Sequence, residues 1–201
     1  MEKNIEYGMV DLGLPSGLKW ADRNVGAASP EAYGDYFMWG SVTPDTDSVC
    51  DWAHAPFNGG SSEFNKRYFN TNKSEWLTGE GTLKPEYDAA TQVMGGSWRM
   101  PTSAEIRELL DGTTQSVGKM NGVKGFRFTS KANGNSIFMP FAGYHLDSDV
   151  DEAGNYGYAW SSSLYADDAY YSRRLIFNDY GYTIVNSNSR YIGFVVRGVH
   201  E

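Results

Sequence analysis

Pro101-Thr102-Ser103-Ala104-Glu105-Ile106-Arg107-Glu108-Leu109-Leu110-Asp111-Gly112 is the best-signalled helix in the chain, and its setting decides the fold class. Thr102 and Glu105 have capping-box spacing, Ile106, Leu109 and Leu110 form one apolar face, and Gly112 is a stop. A second, shorter helix is expected over Pro85 to Met94, ended by Gly95-Gly96. Around these two lie short aromatic-rich or alternating runs that read as strands: Leu18 to Ala21, Tyr36 to Trp39, Phe126 to Phe128, Ile137 to Met139, Leu175 to Phe177 and Phe194 to Val196. Clusters such as Asn58-Gly59-Gly60-Ser61-Ser62, Asn133-Gly134-Asn135 and Asp179-Tyr180-Gly181 separate them as turns. Few helices among many scattered strands, with no strand-helix alternation to build a parallel sheet, give an α+β class. No linker or repeat divides residues 1–201, so one domain is expected. Segment 41–80 has little periodicity and reads as an inserted loop region.

The chain has 201 residues, a formal charge of −8 and a pI near 4.9. Phosphate binding rests on clustered Lys and Arg, so no nucleic-acid partner is expected, and an anionic membrane surface is disfavoured likewise. No apolar run approaches the ~18 residues that cross a bilayer, so no membrane insertion is expected. The start, Met1-Glu2-Lys3-Asn4-Ile5-Glu6, has no apolar h-region and predicts no signal peptide in this chain. Cys50 is the single cysteine, which excludes an intramolecular disulfide and leaves the compartment open.

Catalytic motifs do not emerge from the residues. His54, His145 and His200 are the available bases, and none sits in a nucleophile elbow, a phosphate loop or a zinc pair. They read as structural or exposed, and no catalytic residue is assigned. Asp147, Asp149 and Asp151 have the alternate spacing of calcium ligands. A helix-loop-helix calcium site would need Gly at Glu152 and Glu at Tyr158, so a solvated acidic loop is the competing reading. No cofactor is expected otherwise.

Five stretches carry a family resemblance: Val10 to Ala21 (VDLGLPSGLKWA), Tyr33 to Gly40 (YGDYFMWG), Ser97 to Thr102 (SWRMPT), Trp160 to Ser163 (WSSS) and Arg190 to Arg197 (RYIGFVVR). Together they resemble the major paralogous domain family first named from Fibrobacter and abundant in gut bacteria. The resemblance implies a C-type lectin-like fold, with a small twisted antiparallel sheet, about two helices and long loops that carry the ligand surface. It also implies an extracellular surface or a phage virion as the location. The Glu-Pro-Asn or Gln-Pro-Asp triplet of sugar-binding members is absent. Formylglycine-generating enzymes share the fold, but their chemistry needs a cysteine pair or a copper-thiolate site that Cys50 alone does not supply.

From Tyr156 to Tyr191 the chain is dense in Tyr, Ser, Asn and Asp, the composition of antibody paratopes. The candidate ligand-binding residues in this 156–191 display region are Tyr156, Tyr158, Ser163, Tyr165, Asp167, Asp168, Tyr171, Ser172, Asn178, Asp179, Tyr180, Tyr182, Asn188 and Tyr191. The pattern, with the Gly193 to Arg197 ending, resembles the variable proteins of diversity-generating retroelements. The implied role is non-enzymatic display toward a protein or cell-surface glycan ligand. A calcium-dependent glycan-binding lectin, an undiversified adhesin and a formylglycine-generating-type enzyme are the alternatives, and the same composition also suits a turn-rich sheet edge. Trp20, Trp39, Trp98, Leu109, Phe138, Trp160, Phe177 and Phe194 are expected to be buried, and Arg99, Arg190 and Arg197 to satisfy framework acceptors. Tyr165, Asp168, Tyr171, Asn178, Tyr180 and Asn188 are expected to be exposed.

Overall fold

The computed structural model describes residues 5–58 and 72–201. It is mixed α+β and built almost entirely of antiparallel pairs. One sheet joins the two ends of the chain in the order β1 (Met9–Asp11), β2 (Lys19–Ala21), β12 (Val199–His200), β3 (Trp98–Arg99). A second is the meander β4 (Thr113–Met120), β5 (Val123–Ser130), β6 (Ser136–Pro140). The hairpin β7 (Tyr144–Leu146) and β8 (Asp149–Asp151) stands apart. The third sheet, in the order β11-β10-β9, comprises β9 (Tyr156–Leu164), β10 (Tyr171–Asn178) and β11 (Thr183–Ser189). Three α-helices complete the described elements: α1 (Lys73–Trp76), α2 (Ala89–Met94) and α3 (Ser103–Gly112).

Helix α3 starts where the capping box puts it. Glu105 N donates to Thr102 Oγ1 at 3.2 Å, and Thr102 N donates to the Glu105 carboxylate at 2.7 Å. Arg99 grips the same carboxylate through two nitrogens at 2.8 and 2.7 Å. The helix runs through Gly112 and ends as Thr113 turns extended, and a Cβ at Gly112 would lie 2.3 Å from a Leu14 methyl. The expected helix over 85–94 is broken in two. Asp88 leaves helical geometry after a 3-10 turn (Pro85–Tyr87), so that its carboxylate caps Thr91 N at 2.9 Å and holds Met100 N.

Two expected strands are corrected. Tyr36–Trp39 and Phe194–Val196 form no ladder, because successive residues meet different neighbours: Gly193 bridges His145, Phe194 bridges Phe37, Val195 bridges Ala159, and Val196 O accepts Val25 N at 2.9 Å. The run is a central strut. Apart from α1, segment 41–80 is irregular where described, yet it belongs to the body. Cys50 pairs with Asp147, and Trp76 and Leu77 enter the core. The expected turn at 58–62 lies outside the described residues after Asn58.

The core has two main parts on either side of the third sheet. Ile106 and Leu109 of α3 pack with Phe126, Phe128, Ile137, Leu175 and Phe177 on one side. Phe37, Trp39, Trp76, Tyr158, Trp160 and Phe194 pack on the other. Phe177 makes ring contacts with Phe126, Phe128 and Phe141 at 5.7, 6.0 and 5.8 Å, and Gly157 gives it room, since a Cβ would stand 2.2 Å from the ring. All eight residues expected to be buried are so. Arg197 is buried and fully engaged, donating to Asn24 Oδ1, Ala21 O and Phe138 O at 2.9 Å each. No helix among the described residues is long and apolar enough to cross a membrane.

Candidate ligand-binding face of the C-terminal sheet

Side chains alternate across β10, and that alternation sorts the site. Leu175 and Phe177 turn toward α3, while Arg174, Ile176 and Asn178 take the opposite face. Register places Tyr158 and Ile184 on either side of Ile176, and Trp160 and Asn186 on either side of Arg174. On this face β9 is covered, since Tyr158 and Trp160 lie under Phe194 with ring centroids 5.0 and 4.5 Å away. Toward β11 the cover ends. Tyr180 is 86% exposed, Tyr182 50% and Ile184 39%, and Asn186 is exposed beside them.

A second aromatic group lies at the other end of β10. Tyr165 meets Tyr171 at 6.5 Å, Tyr171 meets Tyr170 at 4.7 Å, and Trp52 sits 4.7 Å from both Tyr170 and Tyr191. Trp52 Nε1 donates to the Tyr170 hydroxyl at 3.2 Å, and the Arg173 guanidinium stacks 4.3 Å from the Tyr165 ring. All these rings are half-buried. They form a pre-organised ridge rather than mobile surface side chains.

Several candidates therefore have structural duties. Tyr158 and Ser172 are buried, and Asn178 is buried where exposure was expected. The Asn178 side-chain oxygen accepts Tyr180 N and Tyr182 N, both at 3.1 Å, and so staples the β10–β11 turn. Tyr165, Asp168, Tyr171 and Asn188 are half-buried rather than exposed. Asp168 caps Tyr170 N at 3.0 Å, and Asn188 turns back onto Ser189 N at 2.8 Å. Ser163 Oγ accepts the Ser103 amide at 3.0 Å and ties β9 to the start of α3. Asp179 lies 3.7 Å from Lys124 Nζ. Tyr156 and Tyr191 are half-buried, and Asp167, Tyr180 and Tyr182 stand in solvent. Trp52, Tyr144, Ile176, Ile184 and Arg174 belong to the face but were not singled out. The alternation of β10 and β11 carried the signal for Ile176, Ile184 and Arg174, whereas Trp52 lies in a stretch without periodicity.

Below the exposed hairpin the electrostatics are unusual. Arg174 is 8% exposed, and its guanidinium lies 4.8 Å from the Tyr158 ring and 5.4 Å from Phe194. Its Nε and Nη1 are buried without a hydrogen-bond partner, as is Ser172 Oγ two residues before it. Burial lowers the Arg174 pKa to about 10, against the raising fields of Tyr158, Glu152 and Tyr182. The Tyr158 hydroxyl donates to Glu152 Oε2, and burial together with that carboxylate pushes the phenol well above its ordinary range.

The groups that would carry covalent or metal chemistry are placed elsewhere. His54 pairs with Asp51 at the surface, and His200 meets the Glu201 carbonyl. His145 Nδ1 lies 3.0 Å from Cys50 Sγ, a Cys–His contact that spacing did not reveal. Both residues are buried, and burial with the field of Asp45 pushes the thiol up to about 12, far from a thiolate at neutral pH. Asp147 sits in the β7–β8 turn at φ 51°, with Asp149 and Asp151 on β8. Among the described residues no three His, Cys, Asp or Glu side chains are placed to hold a metal ion. Comparison with protein-family models, curated proteins and solved structures returns no match for this chain.

Proposed function

We propose that the chain is a non-enzymatic recognition domain of C-type lectin-like architecture that binds a protein or cell-surface ligand through the β10–β11 face of its C-terminal sheet. The observation that carries this reading is the placement of exposed apolar side chains. Among the described residues seven large hydrophobic side chains are exposed, and Tyr180, Tyr182 and Ile184 lie within five positions of one another. Met9, Val93, Val117 and Val150 are scattered singly, as on any surface. A tyrosine-rich patch on a sheet whose reverse face is core offers large contact area at low entropic cost. The joining of both chain ends in one sheet and the long irregular segments agree with the lectin-like resemblance.

The finer reading is a diversity-generating retroelement variable protein. It has a direct test in the coding DNA of independent isolates. Substitutions should fall in adenine-rich codons at Tyr165, Asp167, Tyr180, Tyr182 and Asn186, near a reverse transcriptase and a template repeat. Changes spread equally over Trp160, Phe177 and Phe194 would defeat it. Ligand recognition itself is tested by cell-surface binding of the parent against a Tyr180→Ser, Tyr182→Ser, Ile184→Thr variant. Equal binding by the two would remove the hairpin from the site.

A further inference from the structure

Two arginines of this fold are buried to a similar degree and treated in opposite ways. Arg197, 1% exposed, has three acceptors at 2.9 Å and acts as a framework tie. Arg174, 8% exposed, has Nε and Nη1 buried with no acceptor, and no carboxylate of the described residues lies within ion-pair distance of it. Glu152, whose field acts on it, accepts the Tyr158 hydroxyl instead. Taking a cation out of water without a partner is costly, and the two ring faces near Arg174 recover only part of that cost. A residue that served stability alone would be better replaced by an apolar side chain of similar length. What an unpaired, pre-positioned guanidinium does well is receive a planar anion through its fork of donors.

We propose that Arg174 is the specificity anchor of the recognition face and receives the side-chain carboxylate of an aspartate or glutamate on a protein ligand. The surrounding side chains favour protein over sugar. Ile176 and Ile184 pair across the strands next to Arg174, and Tyr156 and Tyr182 flank them, so the rim is apolar and aromatic. A ligand group seated here meets hydrocarbon around one buried charge, which suits an acidic residue flanked by apolar ones.

This inference rests on the face being a binding surface, so its test is chosen to fail separately. The Nε–Hε nuclear magnetic resonance signal of Arg174, identified by its loss in Arg174→Lys, is followed at fixed pH and ionic strength. The probes are N-acetyl-glutamate α-amide, glucuronate and chloride. The expected result is a saturable shift with the capped glutamate, weaker binding of glucuronate and none of chloride. Arg174→Lys should weaken the capped glutamate roughly tenfold, as judged from the Tyr182 amide signal, because the ammonium keeps the charge but loses the fork. Arg174→Met should abolish that binding and raise the unfolding midpoint. A Met variant that melts lower than the parent would make Arg174 a structural cation and overturn the proposal. So would the absence of any saturable shift, or tighter binding of glucuronate, which would mark a glycan site. None of these results changes what the Tyr180, Tyr182 and Ile184 variant reports about the hairpin.

Discussion

The division between scaffold and display surface is sharpest across the β10–β11 turn, where Asn178 is buried and Tyr180 and Tyr182 are exposed. Replacing Tyr180, Tyr182 and Ile184 together by Ser, Ser and Thr removes side chains that are 86%, 50% and 39% exposed. Exposed substitutions away from caps typically cost about 0.5 kcal/mol or less each. Tyr182 and Ile184 are neighbours on one face and can couple, which leaves the sum at no more than about 1.5 kcal/mol. Asn178→Ala is a smaller change with a larger expected effect. It strips the acceptor from two turn amides, each held at 3.1 Å, and water reaches only part of the space left behind. At about 1 kcal/mol or more per orphaned amide, the loss is about 2–3 kcal/mol. Urea unfolding of the three proteins, followed by tryptophan fluorescence, separates the cases, provided that the m-values agree. Binding should follow the opposite order, with the triple variant inactive and Asn178→Ala retaining affinity in proportion to its folded fraction. A triple variant less stable than Asn178→Ala would mean that the hairpin tyrosines are scaffold, and the whole assignment of the face would fall with it.

Other expectations follow from the same geometry. Trp160→Ala should cost about 3–5 kcal/mol in the same urea assay, since the ring is fully buried against Phe194 and its Nε1 donates to Phe37 O at 2.9 Å; a loss below about 1 kcal/mol would contradict its place in the core. Glu105 is raised by burial but pulled further down by Arg99 and the Thr102 amide, so its folded pKa lies below the ordinary value. Its contribution is therefore present above about pH 4.3 and lost as pH falls through the folded value, and the stability gap between parent and Glu105→Gln should close on acidification. A gap independent of pH would reject that pairing. Asn186→Ala with Asn188→Ala should increase concentration-dependent association in sedimentation velocity, because β11 is an outer strand and these side chains occupy the Ser187 and Ser189 amides at 2.8 Å each. Unchanged sedimentation would show the edge to be protected by other means.

The parts of the fold legible in the sequence are those encoded by local chemistry. The Thr102–Glu105 box fixes the start of α3 because both hydrogen bonds lie within one turn, and the aromatic runs of β5, β6 and β10 show their burial in residue type alone. The Phe194–Val196 strut has the same composition as a strand, but its partners are Phe37, Ala159 and Val25, and nothing local encodes three separate neighbours. The meander strand β4, Thr113 to Met120, escaped notice for the reverse reason. It is an edge strand with a polar, largely uncovered sequence, and pairing with β5 rather than burial holds it. The break at Asp88 depends on Met100 N, twelve residues on, which no helical pattern announces.

The candidate site was legible as a region and not as a surface, because composition does not distinguish a tyrosine that faces a ligand from one that faces Phe194. Alternation does, once the strand is located. In the middle of β9 both faces are occupied, Ala159 by the α3 side and Tyr158 with Trp160 by the strut, so these three residues are framework whatever their type. Only β10 and β11 extend beyond the strut's cover. The same geometry accounts for Arg174. The strut ring of Phe194 covers one part of the guanidinium and Tyr158 another, and the strand register puts Trp160 and Asn186 on either side of it. A framework that buries a cation and supplies no acceptor has left the acceptor to come from outside, and the exposed tyrosines beside it mark the side from which it comes.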